Sequence, residues 1–177
     1  MVSAVKVRSF AEVDSARWNE FVFACPGATF FHRIEWRGIM HEVFRHRTHY
    51  LLAERDQRIV AVLPLAEVKS RLFGHALTSL PFAVYGGIAG DDAEGVAALE
   101  AAADELARKA GVQHLEYRNL TARHMDWPRQ DVYFTFRKEI LADDDANMAA
   151  IPRKQRAMVR KGIKNGLIAS IDTTPDR

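Results

Sequence analysis

Two apolar segments near the middle of the chain predict neighbouring buried strands. Val62–Val68 and Ala76–Leu80 are rich in Val, Leu and Ala, and the polar break Lys69–His75 separates them. Pro64 has no amide hydrogen to donate to a strand ladder, so it predicts an edge, a bulge or a bend in the first strand. Pro81 ends the second strand. We expect the other strands to pair with this stretch and the helices to cover it.

Alternation and helical spacing predict the elements before this stretch. Val2–Ser9 alternates as a half-buried strand, and a helix follows with Asp14 or Ser15 as its N-cap. The apolar face of that helix combines Trp18, Phe21, Val22 and Cys25. A second helix begins near Arg33, and its predicted buried face combines Trp36, Ile39, Met40 and Val43. Thr48–Glu54 and Ile59–Leu65 then predict a hairpin.

The same patterns continue after the central stretch. Asp91-Asp92 opens a helix that runs to Ala110, where Gly111 is a suitable C-terminal glycine. The buried face of this helix combines Val96, Leu99, Ala103, Leu106 and Ala110, and Glu105 with Lys109 forms an i,i+4 pair. Val112–Tyr117 predicts a strand that ends in the polar residues Tyr117-Arg118-Asn119.

The C-terminal part predicts a strand, a helix and the start of another strand. Val132–Leu141 alternates, and one helix is expected over Ala146–Asn165 with Gly166 after it. Leu167–Ile171 predicts the last strand. Strands and helices thus alternate irregularly around a hairpin. The pattern favours an α/β (α+β) fold with a mixed, mostly antiparallel sheet flanked by helices.

Composition narrows the class of protein. The chain has 177 residues, of which 48% are hydrophobic and 27% charged, as in an ordinary globular domain. No apolar run approaches the ~20 residues that a transmembrane helix needs. The N-terminus lacks the long apolar run of a signal peptide, and the lone Cys25 excludes an internal disulfide. We therefore expect a cytoplasmic protein.

The helix within Pro152–Gly166 concentrates positive charge, although the net charge of the chain is only +2. Its cations are Arg153, Lys154, Arg156, Arg160, Lys161 and Lys164. We assign Arg153, Lys154, Arg156, Arg160 and Lys164 to binding of an anion or an RNA backbone, because unopposed like charges destabilise an isolated helix. The predicted buried face holds Met148, Ile151, Gln155 and Met158. The alternative is a solvated face with no ligand.

Several stretches together resemble the first half of FemAB-type proteins. These are FFHRIEW at the second helix, LPLAEVKSRLFG and LTSLPFAVYGGI in the centre, HLEYRN at a strand end, and PRKQRAMVRKGIKNGL in the basic helix. The resemblance covers nearly the whole chain and is strongest to the branch associated with exosortase and exopolysaccharide gene clusters. It implies an acyl-CoA N-acyltransferase (GNAT-like) fold for residues 1–166, and residues 167–177 as a tail or the start of a missing second domain.

The resemblance also implies a reaction. Family members transfer an aminoacyl group from aminoacyl-tRNA to a peptidoglycan precursor, so the donor here is expected to be aminoacyl-tRNA or acyl-CoA. The acceptor is an amine of a cell-wall or exopolysaccharide precursor. This sequence departs from the family at Arg37, since many members have lysine soon after the tryptophan that corresponds to Trp36. The Gln/Arg-x-x-Gly-x-Gly/Ala loop that holds the pyrophosphate of coenzyme A in GNAT enzymes is also absent.

The candidate substrate-binding residues are Trp36, Arg37, Lys69, Tyr85, Gly86, Gly87, Arg118 and Asn119. The glycine pair allows a tight turn or a close approach to the backbone, and polar residues at strand ends build ligand sites. Neither a nucleophile–base arrangement nor a carboxylate pair identifies catalytic residues. His41, His46 and His49 lack the spacing of a zinc motif, so no metal is assigned.

Two other classes of function stay open from the sequence. The chain can be a non-catalytic module that binds a sugar nucleotide or tRNA, with no role for DNA. It can also be a structural half-domain that folds by docking against a second GNAT-like domain or against a copy of itself. Salt-sensitive RNA binding distinguishes the first class, and dimerisation or an exposed apolar face distinguishes the second.

Overall fold

A computed structural model describes residues 3–70, 72, 74–130 and 133–171. Outside this described part lie Val2, Arg71, Phe73 and Val132, which fall in predicted elements or breaks, and residues 172–177 of the predicted tail. The chain divides into two compact units, Met1–Trp127 and Pro128–Arg177. No helix within the described ranges is both long and apolar enough to cross a membrane.

The first unit contains all the strands that the structure describes. They are β1 (Lys6–Ser9), β2 (Arg47–Thr48), β3 (Leu51–Arg55), β4 (Arg58–Leu63), β5 (Ala66–Ser70), β6 (Gly74–Thr78) and β7 (His114–Glu116). The helices of this unit are α1 (Ser15–Ala24), α2 (Glu35–Glu42) and α3 (Ala93–Ala110), with short 3-10 turns at Glu12–Asp14 and Phe30–His32.

The strands form two sheets, and the chain passes from one to the other between β4 and β5. The first sheet has the order β1-β3-β4, and the second has the order β2-β5-β6-β7. All pairs are antiparallel except β6 with β7, which is parallel. The predicted strand Val62–Val68 divides after Leu63, so its two halves lie in different sheets. Of the edge, bulge or bend that Pro64 predicted, the structure therefore shows the bend.

The predicted break at Lys69–His75 is shorter in the structure. Lys69 belongs to β5 and pairs with His75 of β6. The prediction of a break that begins at Lys69 is therefore wrong, because the ladder continues to Ser70 and Gly74 before the chain turns.

Helices cover both faces of the first sheet. Leu52 and Val62 belong to one buried cluster with Trp18 of α1, while their neighbours Leu51 and Leu63 belong to another cluster with α3. Successive strand side chains point to opposite faces, so this division follows directly from the period of two. The expectation of helices on both faces of the sheet is confirmed for this unit.

Helix α3 follows the sequence prediction closely. Asp92 is its N-cap and accepts a hydrogen bond from the Gly95 amide at 2.7 Å. Gly111 ends the helix in the left-handed conformation, with φ of 63°. The Lys109 amine lies 3.0 Å from the Glu105 carboxylate.

The buried face predicted for α2 is only partly correct. Met40 is fully buried, but Val43 is 68% exposed and Ile39 is 37% exposed. The helix ends at Glu42, so Val43 no longer lies on a helical face that packs on the sheet.

The second unit differs most from the sequence prediction. The described residues Tyr133–Leu141 form no strand, and Tyr133 and Phe136 are almost fully exposed. The expected helix over Ala146–Asn165 is two helices, α4 (Asp144–Ala149) and α5 (Arg153–Lys164). Pro152 separates them, because proline lacks an amide hydrogen and disfavours a helical residue before it.

The end of the chain and the basic helix also differ from the sequence prediction. Gly166 does end α5, with φ of 71°, but Leu167–Ile171 forms no strand in the described part. The predicted buried face of the basic helix is wrong, because Gln155 and Met158 are exposed and α5 has no buried residue.

Candidate functional site

The candidate site lies where β6 and β7 end side by side. Thr78 pairs with Glu116, and the next residues stay connected. The Ser79 amide donates to the Glu116 carbonyl at 2.8 Å, and the Arg118 amide donates to the Ser79 hydroxyl at 2.7 Å. Ligand sites in α/β sheets form at such carboxyl ends of neighbouring parallel strands.

The glycine pair packs directly against the end of β7. The amides of Gly86 and Gly87 both donate to the Arg118 carbonyl, at 3.0 and 3.2 Å. A Cβ atom on Gly86 would lie 2.6 Å from the Ser79 carbonyl oxygen, and one on Gly87 would lie 1.9 Å from Asn119 Oδ1. Of the two roles open to these glycines, the structure shows close backbone approach.

Arg118 holds the loop that connects β6 to the glycine pair. Its Nε donates to Glu116 Oε1 at 2.8 Å, and its Nη1 donates to the Ala83 carbonyl at 2.9 Å. The guanidinium therefore forms hydrogen bonds with other groups of the same chain. These contacts fix the position of the side chain, and the role of Arg118 in substrate binding stays a prediction.

His32 completes the floor of the site, and sequence reasoning did not select it as a site residue. The Thr29 amide donates to its Nδ1 at 3.0 Å, so Nε2 carries the proton and donates to the Gly87 carbonyl at 2.8 Å. Burial lowers the pKa of His32 below its usual value. The ring is thus neutral, and its two nitrogens form hydrogen bonds with the Thr29 amide and the Gly87 carbonyl.

A cleft of about 230 Å³ opens beside these residues. Its lining comprises Gly27, His32, Gly87, Ile88, Gly90, Asn119, Leu120, Thr121, Ala122 and Arg123. Asn119 Oδ1 is buried and has no hydrogen-bond donor among the described residues. Arg123 is exposed and makes no ion pair within the described ranges. The lining of the cleft therefore includes a residue with a buried, unsatisfied acceptor, Asn119, and an exposed cation, Arg123.

Other predicted substrate residues lie outside the lining of this cleft. Trp36 packs against Phe31, with ring centroids 5.3 Å apart. Arg37 lies over the Phe10 ring and donates to Glu12 at 2.5 Å. Lys69 lies in β5, and Tyr85 is half-buried next to the glycine pair. The structure thus groups Gly86, Gly87, Arg118 and Asn119 but leaves Trp36, Arg37 and Lys69 apart.

The histidines considered for a metal do not converge. His49 Nε2 lies 3.3 Å from Glu67 Oε2, whereas His46 stacks on Phe82 at 5.6 Å. Among the described residues, no group of His, Cys, Asp and Glu side chains is suited to hold a metal ion.

The N-terminus of α3 is a place where the pyrophosphate of coenzyme A could bind if its side chains suited an anion. A helix N-terminus binds phosphate through free amides and a positive dipole end. Here the Asp92 side chain takes the Gly95 amide, and Asp91 and Glu94 add further negative charge. Arg55 is paired with Asp92 at 3.2 Å and with Glu94 at 2.7 Å. These residues do not fit a diphosphate.

The basic helix α5 belongs to the second unit. Arg156 is committed within the chain, because its Nη2 donates to the carbonyls of Ala149 and Ile151, both at 2.9 Å. The predicted anion-binding residues Arg153, Lys154, Arg160 and Lys164 are exposed, and none forms a salt bridge within the described part of the chain. Arg156 therefore satisfies carbonyl groups at the end of α4. It differs in this from the other cations of the helix, which form no salt bridge within the described part.

No protein-family model matches the sequence, and no curated protein matches it. Solved structures are similar. A GNAT family acetyltransferase from Staphylococcus aureus superposes with a TM-score of 0.51 at 10% identity, over 76% of this chain and 99% of that one. An aminoglycoside 6'-N-acetyltransferase from Acinetobacter baumannii gives a TM-score of 0.49 at 15% identity, over 77% and 99%. The similarity to the Staphylococcus aureus structure confirms the predicted GNAT-like fold.

Proposed function

We propose that this chain contributes a GNAT-like domain to an N-acyltransferase or aminoacyltransferase, and that its cleft receives the acceptor amine. The observation that carries the proposal is the buried Asn119 Oδ1, which has no donor among the described residues. Leaving such an oxygen unpaired costs about 1–3 kcal/mol. A ligand N–H that pairs with this oxygen when the Asn119 side chain turns away from Gly87 would recover that free energy, so we expect the cleft to favour an amine or amide donor.

The surrounding contacts suit positioning more than proton transfer. The reaction requires the amine nitrogen to attack an activated carbonyl carbon, with the amine held in line. His32 fixes the Gly87 carbonyl, and Arg118 fixes the loop before it. The amides of Gly86 and Gly87 already donate to Arg118. They are therefore not available to stabilise the oxyanion, and that role falls to another donor.

The charges in the first turn of α3 bear on whether the acyl donor is acyl-CoA or aminoacyl-tRNA. Its carboxylates repel a diphosphate, which disfavours acyl-CoA bound in that position. The resemblance to FemAB-type proteins supports aminoacyl-tRNA as the donor and a cell-wall or exopolysaccharide precursor as the acceptor. The same resemblance supports a second GNAT-like domain or a homodimer as the complete enzyme.

A second candidate function is a non-catalytic module that binds a sugar nucleotide or tRNA. The observation that favours it is the hydrogen bonding of the His32 ring. Both ring nitrogens have partners, so the one imidazole that lines the cleft has no free lone pair for general-base catalysis.

A thermal-shift screen with salt titration separates these functions. The ligands are acetyl-CoA, UDP-N-acetylglucosamine, UDP-muramoyl-pentapeptide and bulk tRNA. We expect stabilisation by the amine-bearing precursor and none by acetyl-CoA. Equal stabilisation by both sugar nucleotides, with no transfer from aminoacyl-tRNA by the full-length protein, would favour the binding module. Stabilisation by acetyl-CoA would contradict the donor assignment.

A further inference from the structure

Helix α5 separates positive charge from apolar surface. At about 3.6 residues per turn, Val159 lies opposite Lys154, Lys161 and Lys164. Met158 and Ile163 lie on either side of Val159, at the edges of the cationic face. The cations outside the Arg156 contact are Arg153, Lys154, Arg160, Lys161 and Lys164. No acidic residue lies between positions 153 and 164.

The apolar side of α5 is exposed and extends past the end of the helix. Met158 is 65% exposed, Ile163 is 64% exposed and Val159 is 40% exposed. Gly166 turns the chain back, so the Leu167 amide donates to the Gly162 carbonyl at 3.1 Å. A Cβ atom on Gly162 would lie 3.4 Å from Leu167 Cδ1. Leu167 therefore packs beside Gly162 and enlarges the same apolar side.

We propose that α5, together with Leu167, is a surface that binds an anionic lipid membrane. A helix with a strongly cationic face, an apolar opposite face and low overall hydrophobicity lies in the plane of the membrane interface. The cations attract acidic headgroups, while Met158, Ile163 and Leu167 enter the boundary between headgroups and acyl chains. This inference is independent of the cleft and goes beyond the proposed transfer reaction.

The apolar side distinguishes a membrane from RNA as the partner. Contacts with an RNA backbone need cations and leave Val159 and Ile163 in water. Contacts with a bilayer use both sides of the helix at once, since long Lys and Arg side chains reach the headgroups while the apolar side is buried. The first-turn cations Arg153 and Lys154 oppose the helix dipole, a cost that an acidic surface would offset.

Cosedimentation of the full chain with lipid vesicles tests this inference. The vesicles are phosphatidylcholine alone, and phosphatidylcholine mixed with an equal part of phosphatidylglycerol. We expect binding to the mixed vesicles only, weakening as salt rises. R160Q/K164Q should lower the affinity about 30-fold, at roughly 1 kcal/mol for each cation. V159S/I163S should lower it about tenfold through lost apolar burial.

Matched variants control for the loss of two positive charges and for the loss of an exposed apolar side chain. R45Q/R47Q removes exposed cations from the first unit, and V13S removes a side chain that is 84% exposed. Both should bind the mixed vesicles like the wild type. Circular dichroism shows whether each variant keeps its helices.

Three outcomes would overturn the inference. One is binding of bulk tRNA that R160Q/K164Q abolishes and V159S/I163S leaves intact, without vesicle binding; α5 would then be an RNA surface. Another is self-association that V159S/I163S abolishes without vesicle binding, which would make the apolar side a protein contact. The third is no binding to vesicles, tRNA or a second copy.

Discussion

The Nε2 atom of His32 lies 2.8 Å from the carbonyl oxygen of Gly87, although 55 positions separate the two residues. This bond connects the turn after α1 to the loop before α3. Gly87 in turn contacts Arg118 and Asn119 at the end of β7. The bond therefore connects the turn at His32 with the loop at Gly87, which in turn contacts the end of β7. Residues of these three segments line the cleft.

Replacing His32 with alanine should lower the free energy of unfolding by about 2–3 kcal/mol, because the Gly87 carbonyl and the Thr29 amide both lose a buried partner. H41A, at an exposed position, is the control and should be nearly neutral. Denaturant titration measures both.

The pH dependence of the same variant gives an independent check. Burial lowers the pKa of His32 in the folded protein, so the unfolded chain takes up a proton first as pH falls. The stability supplied by neutral His32 should therefore be complete above about pH 6.5 and decrease below it. The difference between wild type and H32A should narrow over that range. A constant difference would show that His32 is not held neutral.

Replacing Gly87 with alanine should destabilise the fold by about 1–3 kcal/mol through overpacking. The added Cβ would lie 1.9 Å from Asn119 Oδ1 and 2.9 Å from Asn119 Cα, so a backbone must move. G27A is the matched control, because a Cβ there meets nothing within 4 Å. Equal stabilities of G87A and G27A would mean that the glycine pair does not pack against the end of β7.

Asp14 should make the protein sensitive to acid. The Arg8 guanidinium donates to Asp14 at 2.6 and 2.7 Å and lowers the pKa of this carboxyl to about 2. A lowered pKa stabilises the fold above the unfolded value near 4, and this stabilisation is lost as pH falls towards 2. We expect about 1–2 kcal/mol, reduced by the partial exposure of Arg8. The stability of wild type relative to D14N should fall by that amount between about pH 5 and 2.

The N-cap of α3 gives a prediction about both stability and ligand binding. D92A should cost about 1 kcal/mol, whereas D92S should cost only a few tenths, because serine can still accept from the Gly95 amide. Neither the wild type nor D92S should bind acetyl-CoA, since Asp91 and Glu94 remain. A clear thermal shift of the wild type with acetyl-CoA would contradict the account of this helix end.

Local sequence signals predicted part of the fold and of the site. Periodicity and end residues located α3, because its cap, apolar face and terminal glycine all act within a few turns. Pro64 predicted an edge, a bulge or a bend, and it lies at the bend between the sheets. Arg118 and Asn119 marked the end of a strand, and the glycine pair Gly86-Gly87 marked a loop whose backbone packs closely against that strand end.

Other features depend on contacts that no local pattern records. His32 joins the site through Gly87, and Arg123 lines the cleft only because of the path that the chain takes after β7. Alternation over Tyr133–Leu141 suggested a strand, but a strand also needs a neighbour to complete its ladder. The break at Pro152 follows a local rule for proline, whereas the helical periodicity over Ala146–Asn165 continues across it and predicted one helix.

The most direct test of the proposed acceptor cleft is the affinity of UDP-muramoyl-pentapeptide for the wild type, N119A and N119D, measured by calorimetry. N119D keeps a carbonyl-type acceptor and should retain binding, whereas N119A removes it and should weaken binding about tenfold or more. Equal affinities for wild type and N119A, or no binding by any of the three proteins, would contradict the assignment of this cleft to an acceptor amine.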